Sequence, residues 1–279
     1  MKIASNIIAA LLLAASIAGA NDYLHLADSC YAARALRANG DKADAKNARI
    51  MKEAYRKAME DSTVLEKATE GYVNTLYFCF RFVQFDEKDR QIHLDSLLEA
   101  SASAYKLFPK NKNIAHVYAS TLSMWGSERN MLSSLKEGVA EKVRDIATEA
   151  EDYQILGRTH FVLPYVPLLL SWPDSKLADK YLSLALQKNR KDIYNYYFLA
   201  DLRYDQDRYD DAMELIARGL EEGVRPGFVL EDKRARWHLK ELWKIIYRKH
   251  RNKLSPKHLE YSEKIKKEIE AQRAAKKKK

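Results

Sequence analysis

The sequence predicts an all-α protein, built from consecutive helical hairpins and closed by a capping helix near its C-terminus. Three observations carry this. Glycine and proline are scarce, nine and six among 279 residues, while Ala, Leu, Lys, Glu and Tyr dominate. Apolar residues recur at spacings of three and four, and few runs alternate apolar with polar. Finally, residues 193–220, IYNYYFLADLRYDQDRYDDAMELIARGL, read as one complete hairpin. Tyr196, Leu199, Ala200 and Arg203 share a stripe, residues 205–208 break it, and Tyr209, Ala212, Ile216 and Leu220 form the returning stripe. Ala200 and Ala212 place small side chains where the two helices meet, which lets their backbones approach.

Residues 1–20, MKIASNIIAALLLAASIAGA, read as a secretory signal peptide. Lys2 supplies the charged start, residues 7–17 a short apolar core, and Ala18-Gly19-Ala20 a small-x-small cleavage pattern. That core is too short for an ordinary membrane span. Cys30 lies too far beyond it to be a lipoprotein site. The expectation is an exported, periplasmic protein in three parts: the signal over 1–20, a helical-repeat domain over 21–254, and a basic helix and tail over 255–279. Export would permit a disulfide between Cys30 and Cys79, but two reduced thiols in separate helices are the preferred reading.

Residues 21–39 read as the first helix, carrying Leu26, Cys30, Ala33 and Leu36, with Asn39-Gly40-Asp41 ending it. Residues 42–59 return, with Ala54 and Ala58 one turn apart. Thr63 and Glu66 have the spacing of a capping box for the next helix. That helix carries Ala68, Tyr72, Leu76 and Phe80, and its apolar end over 79–85 predicts burial on several sides. Residues 89–108 turn Leu94, Leu97, Leu98, Ala102 and Tyr105 inward before Pro109 stops the helix. Tyr118, Ala119 and Leu122 mark the following helix, with Gly126 in its turn. One helix over 133–151 follows, with Leu135, Val139, Val143 and Ile146.

Beyond residue 223, Leu239, Leu242, Trp243 and Ile246 form the stripe of a capping helix. Ser255-Pro256 opens a last helix with a thin apolar side, Leu259, Ile265 and Ile269. From Glu231 onward there are 18 Lys and Arg against 7 Asp and Glu, whereas the whole chain is +9. The basic character therefore belongs to the tail and not to the body.

The hairpin spacing resembles the tetratricopeptide repeat, a helix–turn–helix with an aromatic-Leu-Gly head and an Ala-x3-Phe tail. Tyr196-x2-Leu199-Ala200 fills the head and Ala212-x3-Ile216 the tail, while Arg203 and Gly219 stand where Tyr and Ala are usual. Upstream, Tyr153-x2-Leu156-Gly157-x2-His160 makes a second head, and Ala178-x3-Leu182 its tail. About nine extra residues separate these two parts, within 161–175, FVLPYVPLLLSWPDS. Pro164 and Pro167 exclude a continuous helix there. A long apolar loop must be buried, cover a groove or meet a partner.

This inserted repeat, with Leu156-Gly157-Arg158 and then Leu163-Pro164, resembles the TatT-like family, the T component found with some TRAP transporters. Trp125-Gly126 and Gly138-Val139-Ala140 add to the likeness, which spans about 50–222. It implies a periplasmic repeat protein that binds a ligand or a solute-binding protein and can form a homo-oligomer. The chain departs from the family in its basic tail and in lacking the lipoprotein cysteine that several members use.

No Walker loop, GxGxxG, HExxH, CxxC or GxSxG motif is present, so no enzyme chemistry, cofactor or metal is expected. His160 stands at a head position and reads as a packing residue. The acids Asp205, Asp207, Asp210 and Asp211 lack the glycine and terminal glutamate of a calcium loop. In a repeat of this kind the first helix of each hairpin lines the concave side. Tyr194, Tyr197, Asp201 and Tyr204 would then face a peptide, partner protein or apolar small ligand. Phe161, Tyr165 and Trp172, together with His160, would complete or cover that groove. Nucleic acid is not an expected partner of an exported protein. An alternative is an envelope structural role, in which the basic tail touches anionic lipid or cell-wall polymer.

Overall fold

The structure, a computed structural model, describes residues 19–129 and 131–277. Thirteen α-helices form among the described residues and no strand does, so the all-α expectation holds. None of these helices is long and apolar enough to cross a membrane. The leader expected over 1–20 falls almost wholly outside the described residues, as do the side chain of Ile269 and the last two lysines. The chain divides into two compact units, Met1–Ile155 and Leu156–Lys279.

The first unit holds α1 (Ala20–Ala32), α2 (Ala45–Ala58), α3 (Leu65–Phe82), α4 (Arg90–Leu107), α5 (Lys112–Ser127), α6 (Met131–Lys136), α7 (Val139–Glu149) and the start of α8 (Tyr153–Val162). From α1 to α5, successive helices pack on one another, and α7 packs on α5. Side-chain caps set two of the starts: Asp44 accepts from Lys46 N at 2.8 Å, and Asn111 accepts from Asn113 N and Ile114 N at 3.1 Å. Leu24, Ala27, Ala54, Tyr55, Ala58 and Ala68 make one buried cluster, and Val73, Phe80, Leu94, Leu97, Ile114 and Val117 another. The buried positions of α3 run around the helix, as its apolar end predicts. Cys30 and Cys79 are free thiols, and burial pushes the Cys79 thiol up to about 11 against the pull of Lys52.

Four local expectations are corrected here. The first helix ends at Ala32, not at residue 39. The chain turns there to bury Arg34, whose guanidinium lies 4.1 Å from the Tyr31 ring centre and 5.2 Å from that of Phe78. Leu36 is left exposed, and Gly40 instead serves a tight turn at φ +64°. The capping box does not form. Asp61 takes the Thr63 amide at 2.8 Å and hydroxyl at 2.7 Å, and Glu66 receives Asn111 at 3.0 Å. The helix expected over 133–151 is divided by Gly138, which adopts φ +65° between α6 and α7. Gly126 sits within the last turn of α5, where an added Cβ would lie 2.9 Å from Val139 Cγ1.

The second unit holds the rest of α8, then α9 (Ser175–Lys188), α10 (Ile193–Asp205), α11 (Tyr209–Glu221), α12 (Val229–His250) and α13 (Pro256–Lys277). Asp174 and Asp192 cap α9 and α10. The hairpin α10–α11 forms at the bounds its pattern predicts, with Ala200 and Ala212 fully buried between its helices. Leu239, Leu242, Trp243 and Ile246 of α12 join the same core. The two departures from the repeat pattern have physical reasons. Arg203 reaches back to α9 and makes a bidentate pair with Asp179. Gly219 leaves room for Tyr196 and Leu239, whose atoms an added Cβ would meet at 2.8 and 2.7 Å.

The inserted stretch is helical only through Val162, and residues 163–174 have no helix. Val166 and Leu170 pair across a tight turn in which Leu168 takes φ +69°. Leu170 is fully buried and anchors this turn, while Tyr165, Leu168 and Leu169 are exposed.

Candidate functional site

The buried stripe of α10 leaves its other side partly exposed, and that side carries Tyr194, Tyr197, Phe198, Asp201 and Tyr204. Tyr197 stacks on His238 of α12, with ring centres 4.8 Å apart and planes 24° apart. Tyr194 lies 5.5 Å from Phe198 and 6.2 Å from His238. Arg158 of α8 donates to Asp201 Oδ2 at 2.8 Å, with its guanidinium 4.6 Å from the Phe198 ring and 5.2 Å from that of Phe161. Three helices of one unit, α8, α10 and α12, thus supply one surface of aromatic rings around a single ion pair.

The electrostatics of this surface are mild. Burial pushes the Tyr197 hydroxyl up, the Asp201 charge adds to that, and Arg158 opposes it. The phenol stays protonated at neutral pH and remains a hydrogen-bond donor. Arg158 and Asp201 are each about a quarter exposed, so solvent weakens their pairing but keeps them accessible to a ligand. Aromatic faces with a few polar groups can pack against a ligand's apolar parts and fix its orientation.

The structure places the eight candidate residues in several surroundings. Tyr194, Tyr197 and Asp201 lie together, and Phe161 joins them through Arg158. Tyr204 sits further along α10, 6.0 Å from Tyr209 and 5.9 Å from His250. Buried His160 and half-buried Trp172 form a separate contact. The His160 ring meets Trp172 edge-on at 5.2 Å and lies 5.7 Å from Tyr181, while its Nδ1 accepts from Asp174 N at 3.2 Å. His160 ties the 163–174 loop to α8. Tyr165 points to solvent at the tip of that loop, 63% exposed.

Sequence reasoning missed Arg158, Phe198 and His238 as members of the surface. Phe198 could have been found, because it falls on the same helical side as Tyr194 and Tyr197. His238 has no such signal, since the turn after α11 sets its position.

A second cluster was also unseen. His258 Nδ1 lies 2.8 Å from Asp210 Oδ1 and 3.0 Å from Ser255 Oγ, and its Nε2 lies 3.4 Å from Glu214 Oε2. Asp210 and Glu214, both on α11, hold the ring at its two nitrogens, and Ser255 shares Nδ1 with Asp210. The cluster fastens α13 to α11. Among the described residues, no three His, Cys, Asp or Glu are placed to hold a metal ion.

No family model matches the chain, and no curated protein matches it either, so the functional reading rests on geometry.

Proposed function

We propose that this chain is a tetratricopeptide-type repeat protein that binds a partner protein or peptide across the face made by α8, α10 and α12. The observation that carries the reading is the joined, accessible surface of Arg158, Tyr197, Phe198, Asp201 and His238. In this reading α8, α10 and α12 are the first helices of successive hairpins, the helices that would line a repeat's groove. The apolar loop tip at Tyr165, Leu168 and Leu169 adds a second exposed contact region. The signal-like leader and the TatT-like features of 153–220 extend the proposal: the protein is exported, works in the periplasm and engages the solute-binding component of a TRAP-type transporter.

The test is a comparative pull-down from the periplasm with the native chain and with Tyr197→Ala/Phe198→Ala. A partner retained by the native chain and lost by the variant, with helicity unchanged, supports the reading. A partner held equally by both, or none held by either, refutes it.

A further inference from the structure

We infer that the outer side of α12, continued by the turn after it and by α13, is a docking surface for an anionic lipid bilayer. This goes beyond the partner-binding face and does not depend on it. The buried side of α12 is Ala235, Leu239, Leu242 and Ile246. The opposite side, at helical spacings, is Lys233, Trp237, Lys244 and Arg248, with Glu241 beside them paired to Lys244. Lys233, Arg248, Lys249, Arg251, Lys264 and Lys267 are exposed. Tyr247 of α12 donates to Glu263 of α13, and the charges of Lys266, Lys267 and Arg251 all bear on that same carboxylate. Arg251, Lys266 and Lys267 therefore gather around Glu263, beside the C-terminal end of α12.

Charge alone would suit any polyanion, and Trp237 selects the bilayer. It is 56% exposed on the basic stripe. An indole beside long cationic side chains suits the headgroup region, where the ring sits at the interface and the ammonium and guanidinium groups reach phosphates. The area of exposed apolar surface is small, so the attraction is chiefly electrostatic, reversible and sensitive to salt.

The test uses the full chain and its Arg248→Gln/Lys249→Gln/Arg251→Gln/Lys267→Gln variant, so the apolar leader is common to both. Binding is measured by sedimentation with phosphatidylcholine vesicles and with vesicles containing phosphatidylglycerol. Trp237 emission is isolated by subtracting the spectrum of Trp237→Phe. A surface cation contributes about fivefold to binding of an anionic bilayer, so losing four should weaken it by at least about a hundredfold. The expected result is selective binding to the anionic vesicles, a blue shift of Trp237, loss at high salt, and that drop in the variant. All exchanged side chains are exposed, and circular dichroism of the variant checks the fold. Equal binding to both vesicle types, undiminished binding by the variant, or binding without a Trp237 shift would overturn the inference. So would tighter binding to a soluble polyanion such as polyuridylate.

Discussion

Asp232→Ala tests how the start of α12 is held. Asp232 is fully buried and accepts from Arg225 N at 2.8 Å, Nε at 3.1 Å and Nη2 at 2.6 Å. Arg225 also donates to Asp192, the cap of α10, at 3.2 Å, and lies 4.4 Å from the Phe228 ring. Burial tends to lower the guanidinium's proton affinity, but the Asp232 and Asp192 carboxylates more than offset it, so Arg225 is held charged. Truncating Asp232 strands that charge and one backbone amide. Breaking a buried pair costs about 3–5 kcal/mol, and here the low end, about 3 kcal/mol, applies because Arg225 keeps Asp192 and some solvent. In a unit of this size that is a fall of about 6–12 °C in Tm. Thermal unfolding followed by circular dichroism gives the size, and hydrogen exchange should place the loosening in the first turns of α10 and α12. Removing Arg225 as well should recover at least about 1 kcal/mol relative to the sum of the single losses. A cost below about 1 kcal/mol for Asp232→Ala, or strict additivity in the double variant, would refute the reasoning.

Gly219→Ala should destabilise the second unit by about 1–3 kcal/mol in denaturant titrations, because the new methyl meets Tyr196 Cβ at 2.8 Å and Leu239 Cδ1 at 2.7 Å; a neutral result would mean that α11 and α12 yield easily. Acid should release α13 from α11. Asp210 is held low although burial pushes it up, because the Ser255 amide and His258 outweigh that, and Glu214 is held low by Lys257 and His258. A carboxylate depressed in the fold stabilises at pH above the ordinary carboxylate range, and that contribution is lost as pH falls through its folded value. Protection of α13 in hydrogen exchange, corrected for intrinsic rate, should therefore drop in acid below the carboxylate range. Asp210→Asn/Glu214→Gln should show the loosened level already at neutral pH, and an unchanged acid step in that variant would disprove the assignment.

Local periodicity made the second unit legible before its structure was known. The stripes of α10, α11 and α12 are continuous, their turns are short and polar, and every residue of the expected stripes is buried except Leu220, which is half-buried. The first unit was harder to read wherever one residue had two competing uses. Thr63 and Glu66 match a capping box, yet Asp61 takes the hydroxyl and Asn111 takes the carboxylate, and no local pattern reveals partners that compete from outside the box. The apolar spacing of residues 21–39 says nothing of Arg34, yet its planar cation packs against Tyr31 and Phe78 just beyond the end of the helix at Ala32.

The candidate surface shows the same division. Helical spacing marked Tyr194, Tyr197 and Asp201, because three residues on one side of one helix stay together in any fold that keeps the helix. Nothing in spacing could bring Arg158 and His238 to them, since those contacts depend on packing between hairpins. The loop illustrates the converse. Its prolines and apolar residues predicted a non-helical element in need of cover, but only Leu170 is fully buried and Trp172 packs against His160, while Tyr165, Leu168 and Leu169 face solvent. His160 explains how such a loop keeps its shape: its ring holds Trp172 at one edge and accepts the Asp174 amide at the start of α9. His160, between Arg158 and Phe161 in the sequence, thus packs against the loop, while Tyr194, Tyr197, Phe198 and His238 of α10 and α12 form the face proposed for binding.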